Sequence, residues 1–126
     1  MKAKIAIVGS GNIGWALKQL LKSDYDLRQG DIADGFDAKD IKQVKDFLKG
    51  ADAVISAAPF AVNKNIATVA AEEGIAYFDL TEDVETTDFI KTLESKSILM
   101  PQCGLAPGAI NVCAASMMKE FDSVNE

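Results

Sequence analysis

The chain has 126 residues, 48% of them hydrophobic and 25% charged, with 13 basic against 19 acidic side chains and a net charge of −6. That length builds one soluble globular domain with a core and leaves no room for a second, and the acidic balance offers no basic footprint to a phosphate backbone, so no nucleic-acid partner is expected. The absence of histidine removes the usual proton carrier near neutral pH, the commonest metal ligand and every His-dependent nucleophile triad, so any chemistry falls to carboxylates, Lys, Tyr, Cys or a cofactor, and no metal site is expected.

The elements are predicted in chain order. Lys4 to Val8 reads as a buried strand. It follows Met1 too closely, and meets Gly9 too soon, to be a signal peptide. After Gly9-Ser10-Gly11-Asn12-Ile13-Gly14, the residues Ile13, Ala16, Leu17, Leu20 and Leu21 recur at helical spacing with Lys18, Gln19 and Lys22 between them. Tyr25 to Asp31 forms a second strand, and Ile41, Val44, Phe47 and Leu48 mark a helix that Gly50 can end. Ala53 to Ala57 is a strand; Ile66, Val69 and Ala70 line a helix stopped by Gly74; Ile75 to Asp79 is a strand; Val84 to Leu93 is helical; Ile98 to Met100 is a strand; and a last helix follows Pro107-Gly108. The longest nearly apolar stretch, Ala53 to Val62, is broken by Ser56 and Pro59 and falls short of the roughly 20 residues that span a bilayer. No membrane contact and a cytoplasmic location are expected. Strands alternating with helices imply an α/β fold of the Rossmann type, a doubly wound and mostly parallel sheet with helices on both faces.

The glycine loop is the strongest motif, because it closes a strand and opens an amphipathic helix at the start of such an alternation. Gly9 permits the tight turn, Gly11 lets the backbone approach a pyrophosphate, and Gly14 lets helix and strand pack closely. The amide groups of Asn12 and Ile13, at the helix N-terminus, offer N–H donors and partial positive charge to phosphate, so an acidic protein can hold an anion without a basic patch. Asp31, at the end of the second strand, stands at about the spacing where an acid accepts hydrogen bonds from the adenosine ribose. A carboxylate there repels a 2′-phosphate, and Ile32-Ala33-Asp34 brings no cation to attract one. NAD is therefore expected over NADP, with a solvated acid in a turn as the plain alternative for Asp31. Between Asp31 and the helix near Asp40 there are too few residues for both a crossover helix and a third strand. Gly35-Phe36-Asp37-Ala38 is read as a remnant of that strand.

Four blocks carry a family resemblance: Ile7-Val8-Gly9-Ser10-Gly11-Asn12-Ile13-Gly14; Gly50-Ala51-Asp52-Ala53-Val54-Ile55-Ser56-Ala57-Ala58-Pro59-Phe60; Tyr77-Phe78-Asp79-Leu80-Thr81-Glu82-Asp83-Val84; and Met100-Pro101-Gln102-Cys103-Gly104-Leu105-Ala106-Pro107-Gly108. Over nearly its whole length the chain resembles the NAD(P)-binding domain of the saccharopine dehydrogenase family, including its lysine-dehydrogenase-like members. The resemblance implies that Ala57, Ala58 and Pro59 lie against the cofactor, with Phe60 at the edge of the substrate cleft. It implies that Asp79, Thr81, Glu82, Cys103 and Gly104 line the site of the nicotinamide and an amino-acid substrate. It also implies a substrate and dimerisation domain beyond Glu126, so the chain is expected to be a single cofactor-binding domain, a fragment without turnover of its own, from an enzyme that oxidises the amine of a lysine-like or saccharopine-like amino acid.

Several residues carry competing readings. Cys103 is either an activated thiolate at a helix N-terminus, as a semialdehyde-type dehydrogenase would need, or a packing residue; Cys113, among Val112, Ala114 and Ala115, is read as core. Tyr77 lacks the Lys four residues on that a short-chain-dehydrogenase tyrosine requires, since Thr81 stands there, and is read as structural. Asp79 and Glu82 either bind a substrate ammonium or supply favourable charge to the next helix. Met117, Met118 and Phe121 read as a helix face whose exposure would drive self-association, a homodimer being the simplest form. The rival to the oxidoreductase is a stand-alone NAD-sensing module without catalysis.

Overall fold

The computed structural model describes residues 1–121. Five parallel strands run β1 (Lys4–Val8), β2 (Asp26–Gly30), β3 (Ala53–Ser56), β4 (Ala76–Asp79) and β5 (Leu99–Met100), and the sheet order is β2-β1-β3-β4-β5. The helices are α1 (Asn12–Leu21), α2 (Ile41–Leu48), α3 (Asn63–Glu73), α4 (Val84–Lys91) and α5 (Ala109–Met118). Apart from the strand remnant at Gly35 to Ala38, each expected element is present, with ends shifted by a few residues at most. The α/β, all-parallel arrangement is the one the alternation predicts. No described helix is long and apolar enough to cross a membrane.

Side-chain alternation divides the sheet. Ala6, Val8, Val54 and Tyr77 face one way and join Val44, Leu48, Ile66, Val69 and Ile90 in a single apolar cluster under α2, α3 and α4. Ile5 and Ile7 face the other way, where α1 packs on β1 and β2. The row Ile7, Ile55, Phe78 and Met100 continues across that second face in register, and its cover thins along the row: Ile7 is buried, Ile55 and Phe78 half-buried, and Met100 47% exposed. Beyond it, α5 has no buried residue. Cys113 is therefore exposed and not core, because nothing among the described residues packs on α5. Met117, Met118 and Phe121 are exposed as well.

The shortened segment after Asp31 makes no strand, contrary to the remnant reading of Gly35 to Ala38. Ile32–Asp34 form a 3-10 turn ended by Gly35 in the left-handed region. Phe36 then turns inward and its ring lies 4.5 Å from that of Phe47. Both rings press on Gly30, where an added Cβ would meet Phe47 at 2.8 Å and Phe36 at 3.1 Å. The pair covers the end of the edge strand β2 with side chains where a longer chain would add backbone.

Candidate functional site

The reversal of strand order falls at β1: α1 leads from it to β2 on one side, and β3 lies on its other side. In open parallel sheets the carboxyl ends of the strands at such a reversal form the binding crevice. The Gly9 loop, the Ala57-Ala58 turn after β3, the Leu80-Thr81 turn after β4 and the Pro101 to Gly104 segment after β5 all stand there.

Each loop glycine has its own reason. Gly9 has φ +105°, and a Cβ on it would sit 2.9 Å from the Ala57 carbonyl group, so β1 and β3 touch across the crevice only because the side chain is absent. A Cβ on Gly14 would collide with the Gly9 carbonyl, which lets α1 start hard against β1. Gly11 differs: its φ of −64° suits any residue, and a Cβ there meets nothing within 4 Å. The fold tolerates a side chain at Gly11, so the open space above it is where a ligand can approach the backbone. Gly11 has no side-chain cap to offer, and among the described residues the amides of Asn12, Ile13 and Gly14 have no acceptor. These first-turn donors of α1 are free for an anion.

Asp31 ties the loop to β2. Its Oδ2 accepts from the Ser10 amide at 2.7 Å and its Oδ1 from the Ala33 amide at 2.9 Å. Those two backbone donors, Ala33 first and then Ser10, hold its carboxyl below the ordinary aspartate range. Each oxygen keeps a second lone pair, which suits it to a hydroxyl donor such as a ribose. The nearest cation on β2, Arg28, is turned away: its guanidinium bonds the carbonyls of Phe47 and Lys49. The lowered pKa fixes the sign of a pH effect. Stability from Asp31 is present above the unfolded-state pKa, near 3.9, and lost as pH falls through the lower folded value. Urea melts should thus show Asp31→Ala less stable than the parent chain at pH 6, with the gap closing near pH 2 to 3. A gap that stays constant down to pH 2 would contradict the two amide bonds.

Asp79 lies elsewhere than the sequence suggests for an ammonium ligand. It is 0% exposed, and its carboxylate is consumed inside the protein. Oδ2 accepts from the Tyr77 hydroxyl at 2.6 Å and from Asn63 Nδ2 at 3.4 Å, while Oδ1 accepts from the amides of Thr81 and Gln102, each at 3.0 Å. Asn63 in turn accepts from Ser56 Oγ at 2.6 Å. The network knits the carboxyl ends of β3, β4 and β5 together from below, and burial beside Asp79 drives the Tyr77 phenol far above its ordinary range. Tyr77 is structural, as its neighbours predicted. Glu82, by contrast, is exposed, and Thr81 lines the crevice wall.

Cys103 is held through its amide on the Asp79 carbonyl at 2.7 Å, and its thiol donates to the Met100 carbonyl at 3.3 Å. Burial, then the charge of Asp79, raises its pKa, which opposes the activated-thiolate reading. Iodoacetamide at pH 7 should label Cys113 about tenfold faster than Cys103, followed by peptide mass mapping; faster labelling of Cys103 would restore the nucleophile. Gly104 sits against Leu80, where a Cβ would meet the Leu80 carbonyl oxygen at 2.9 Å.

Between these loops opens a cleft of about 130 Å³ lined by Ile13, Ala57, Ala58, Phe60, Asn63, Leu80 and Thr81. It accepts one end of an extended ligand, since whole small-molecule sites run to about 300–1,000 Å³. Phe60 is 55% exposed at its rim and Pro59 precedes it at the start of a 3-10 turn. A larger groove of about 630 Å³ lies at the opposite end of the molecule, but Glu72, Glu73 and Glu94 line it against the single cation Lys96, so it repels phosphate. Among the described residues no three metal-ligating side chains cluster. Sequence reasoning passed over Ser56 and Asn63; the period of two along β3 and β4, which puts Ser56 and Asp79 in register, is the signal that could have found the network.

No family model matches the chain. Its fold is similar to that of the apo histidine-tagged saccharopine dehydrogenase (L-Glu forming) from Saccharomyces cerevisiae, with a TM-score of 0.77 and 17% identity over 94% of this chain. The chain spans 31% of the length of that structure. It is also similar to a small-chain dehydrogenase (TM-score 0.52, 17% identity, 95% of this chain and 75% of that one). A small-chain dehydrogenase in complex with NADPH matches at TM-score 0.53 and 17% identity, over 95% of this chain and 65% of that one.

Proposed function

We propose that this chain is the nicotinamide-dinucleotide-binding domain of an oxidoreductase, that it prefers NAD over NADP, and that its parent enzyme acts on the amine of a lysine-like or saccharopine-like amino acid. The observation that carries the cofactor reading is Gly11: a residue the fold does not require to be glycine, placed beneath open space, beside three unpaired helix N-terminal amides and one turn from an ionised Asp31. A pyrophosphate fits that space, its oxygens on the Asn12, Ile13 and Gly14 amides. The adenosine ribose hydroxyls fall to Asp31. The other half of the ligand runs past Ala57, Ala58 and Pro59 toward the cleft between Ile13 and Thr81. Bound there, a nicotinamide supplies hydride transfer; this chain's residues bind and orient it, and the buried Asp79 network keeps the turns around it rigid.

The preference for NAD rests on Asp31 charge and on Arg28 being engaged elsewhere. The fold likeness to a saccharopine dehydrogenase and the four sequence blocks support the substrate class, with Phe60, Glu82 and Thr81 the residues of this chain that face it. Titration with NADH and NADPH, read by quenching of Trp15, which is exposed and adjoins Gly14, tests the cofactor reading. Saturable NADH binding at least tenfold tighter than NADPH is expected. Binding of neither sinks it.

A further inference from the structure

Gln102 is, among the described residues, the only non-glycine residue with positive φ, +64°. Side-chain-bearing residues avoid this region, and an outlier persists only where its surroundings over-determine it, most often at a ligand site. Here the surroundings are visible. The Gln102 amide is clamped on Asp79 Oδ1 and the next amide, of Cys103, on the Asp79 carbonyl, so the buried network beneath the sheet imposes the turn. Oδ1 is shared with the Thr81 amide, which places Gln102 beside the wall of the small cleft. Its carboxamide makes no hydrogen bond among the described residues and is partly exposed. A glycine would adopt this conformation without strain, yet glutamine stands there.

We infer that Gln102 is a ligand-positioning residue whose carboxamide pairs with the carboxamide of the bound nicotinamide. This rests on the dinucleotide reading above. The pairing is chemically matched, since each group carries one carbonyl acceptor and one NH₂ donor. It also suits the layout: β5 is three strand spacings from β1, about 14 Å, so a ligand whose pyrophosphate lies on α1 reaches β5 only with its nicotinamide end. The clamped left-handed turn fixes the Gln102 backbone at that end.

The test is a pair of titrations of the full chain, with NADH and with ADP-ribose, for the parent sequence, Gln102→Ala and Gln102→Gly, each followed by thermal melting. ADP-ribose carries the pyrophosphate and both ribose rings but no nicotinamide. The expected result is a tenfold or greater weakening of NADH by both substitutions with ADP-ribose affinity unchanged. Gln102→Gly should also raise Tm by about 3 °C through relief of the left-handed backbone, so weakened NADH binding cannot be put down to loss of fold. Unchanged NADH affinity, or equal loss of NADH and ADP-ribose, overturns the assignment while leaving the dinucleotide reading standing. Failure of the parent chain to bind either ligand overturns both.

Discussion

Gly11→Val is expected to weaken NADH binding by at least about 100-fold, equivalent to about 2.7 kcal/mol, with no loss of fold. The backbone at Gly11 is in a conformation open to any residue and the space around its Cβ is empty, so the unliganded domain accepts the side chain, and Tm should stay within a few degrees. The same empty space is where the pyrophosphate must approach the α1 amides, and two methyl groups there hold it out of hydrogen-bond range. Gly14→Ala is the matched control, because its Cβ strikes the Gly9 carbonyl and must disturb the fold itself. Binding would be followed by calorimetry and folding by circular dichroism on the same samples. A Gly11→Val chain that binds NADH normally would show that the loop is a structural turn and nothing more.

Asp79→Ala should be among the most destabilising single substitutions, by about 3–5 kcal/mol, a fall in Tm of order 10 °C or more for a chain of this size. Removing the carboxylate leaves the Tyr77 hydroxyl, the Thr81 amide and the Gln102 amide without their acceptor in a region closed to solvent. Unsatisfied buried donors cost their full desolvation. Phe at position 77 offers a partial rescue: Tyr77→Phe combined with Asp79→Ala removes one donor along with its acceptor, and the double variant should lose less than the two single effects added. Glu82→Ala, at an exposed neighbour, should shift stability by less than about 0.5 kcal/mol. Chemical denaturation of the four variants separates these outcomes; an Asp79→Ala chain as stable as the parent would mean that the network contributes nothing to holding β3, β4 and β5 together.

The two experiments divide the crevice into its halves. Gly11 has open space around its Cβ and no structural need to be glycine, so the expected effect of its substitution is on the proposed ligand. The Asp79 network carries charge and faces inward, so its effect is on the fold, and it reaches the ligand only through the turns it holds. That division explains how a domain of net charge −6 suits the proposed anion site: Asp31 and Asp79 are committed to protein amides, and Glu82 is exposed to solvent.

Much of this was legible in the residues. Strand and helix periods placed the five strands and five α-helices because each is short and its period is set by local geometry. The tight turn at Gly9, the close packing at Gly14 and the place of Asp31 beside the loop were legible for the same reason: they depend on local backbone geometry. Tertiary structure decided the rest. Neither reading of Asp79, ammonium ligand or helix charge, contains its burial, because one of its partners is the amide of Gln102, 23 residues away on the far side of β4, and no local pattern encodes that. The place of Phe36 was misread because a strand remnant and an inward-turning aromatic look alike until Phe47 and Gly30 are brought beside them. Cys113 was assigned to the core from apolar neighbours, and it is exposed because hydrophobic composition says that a helix face can be buried and not whether anything is there to cover it. Sequence by itself determined the order of elements and the conformation of the loop, since both follow from local stereochemistry. Only the fold decided which carboxylates are free, since solvent access and hydrogen-bond partners are properties of contacts between distant segments.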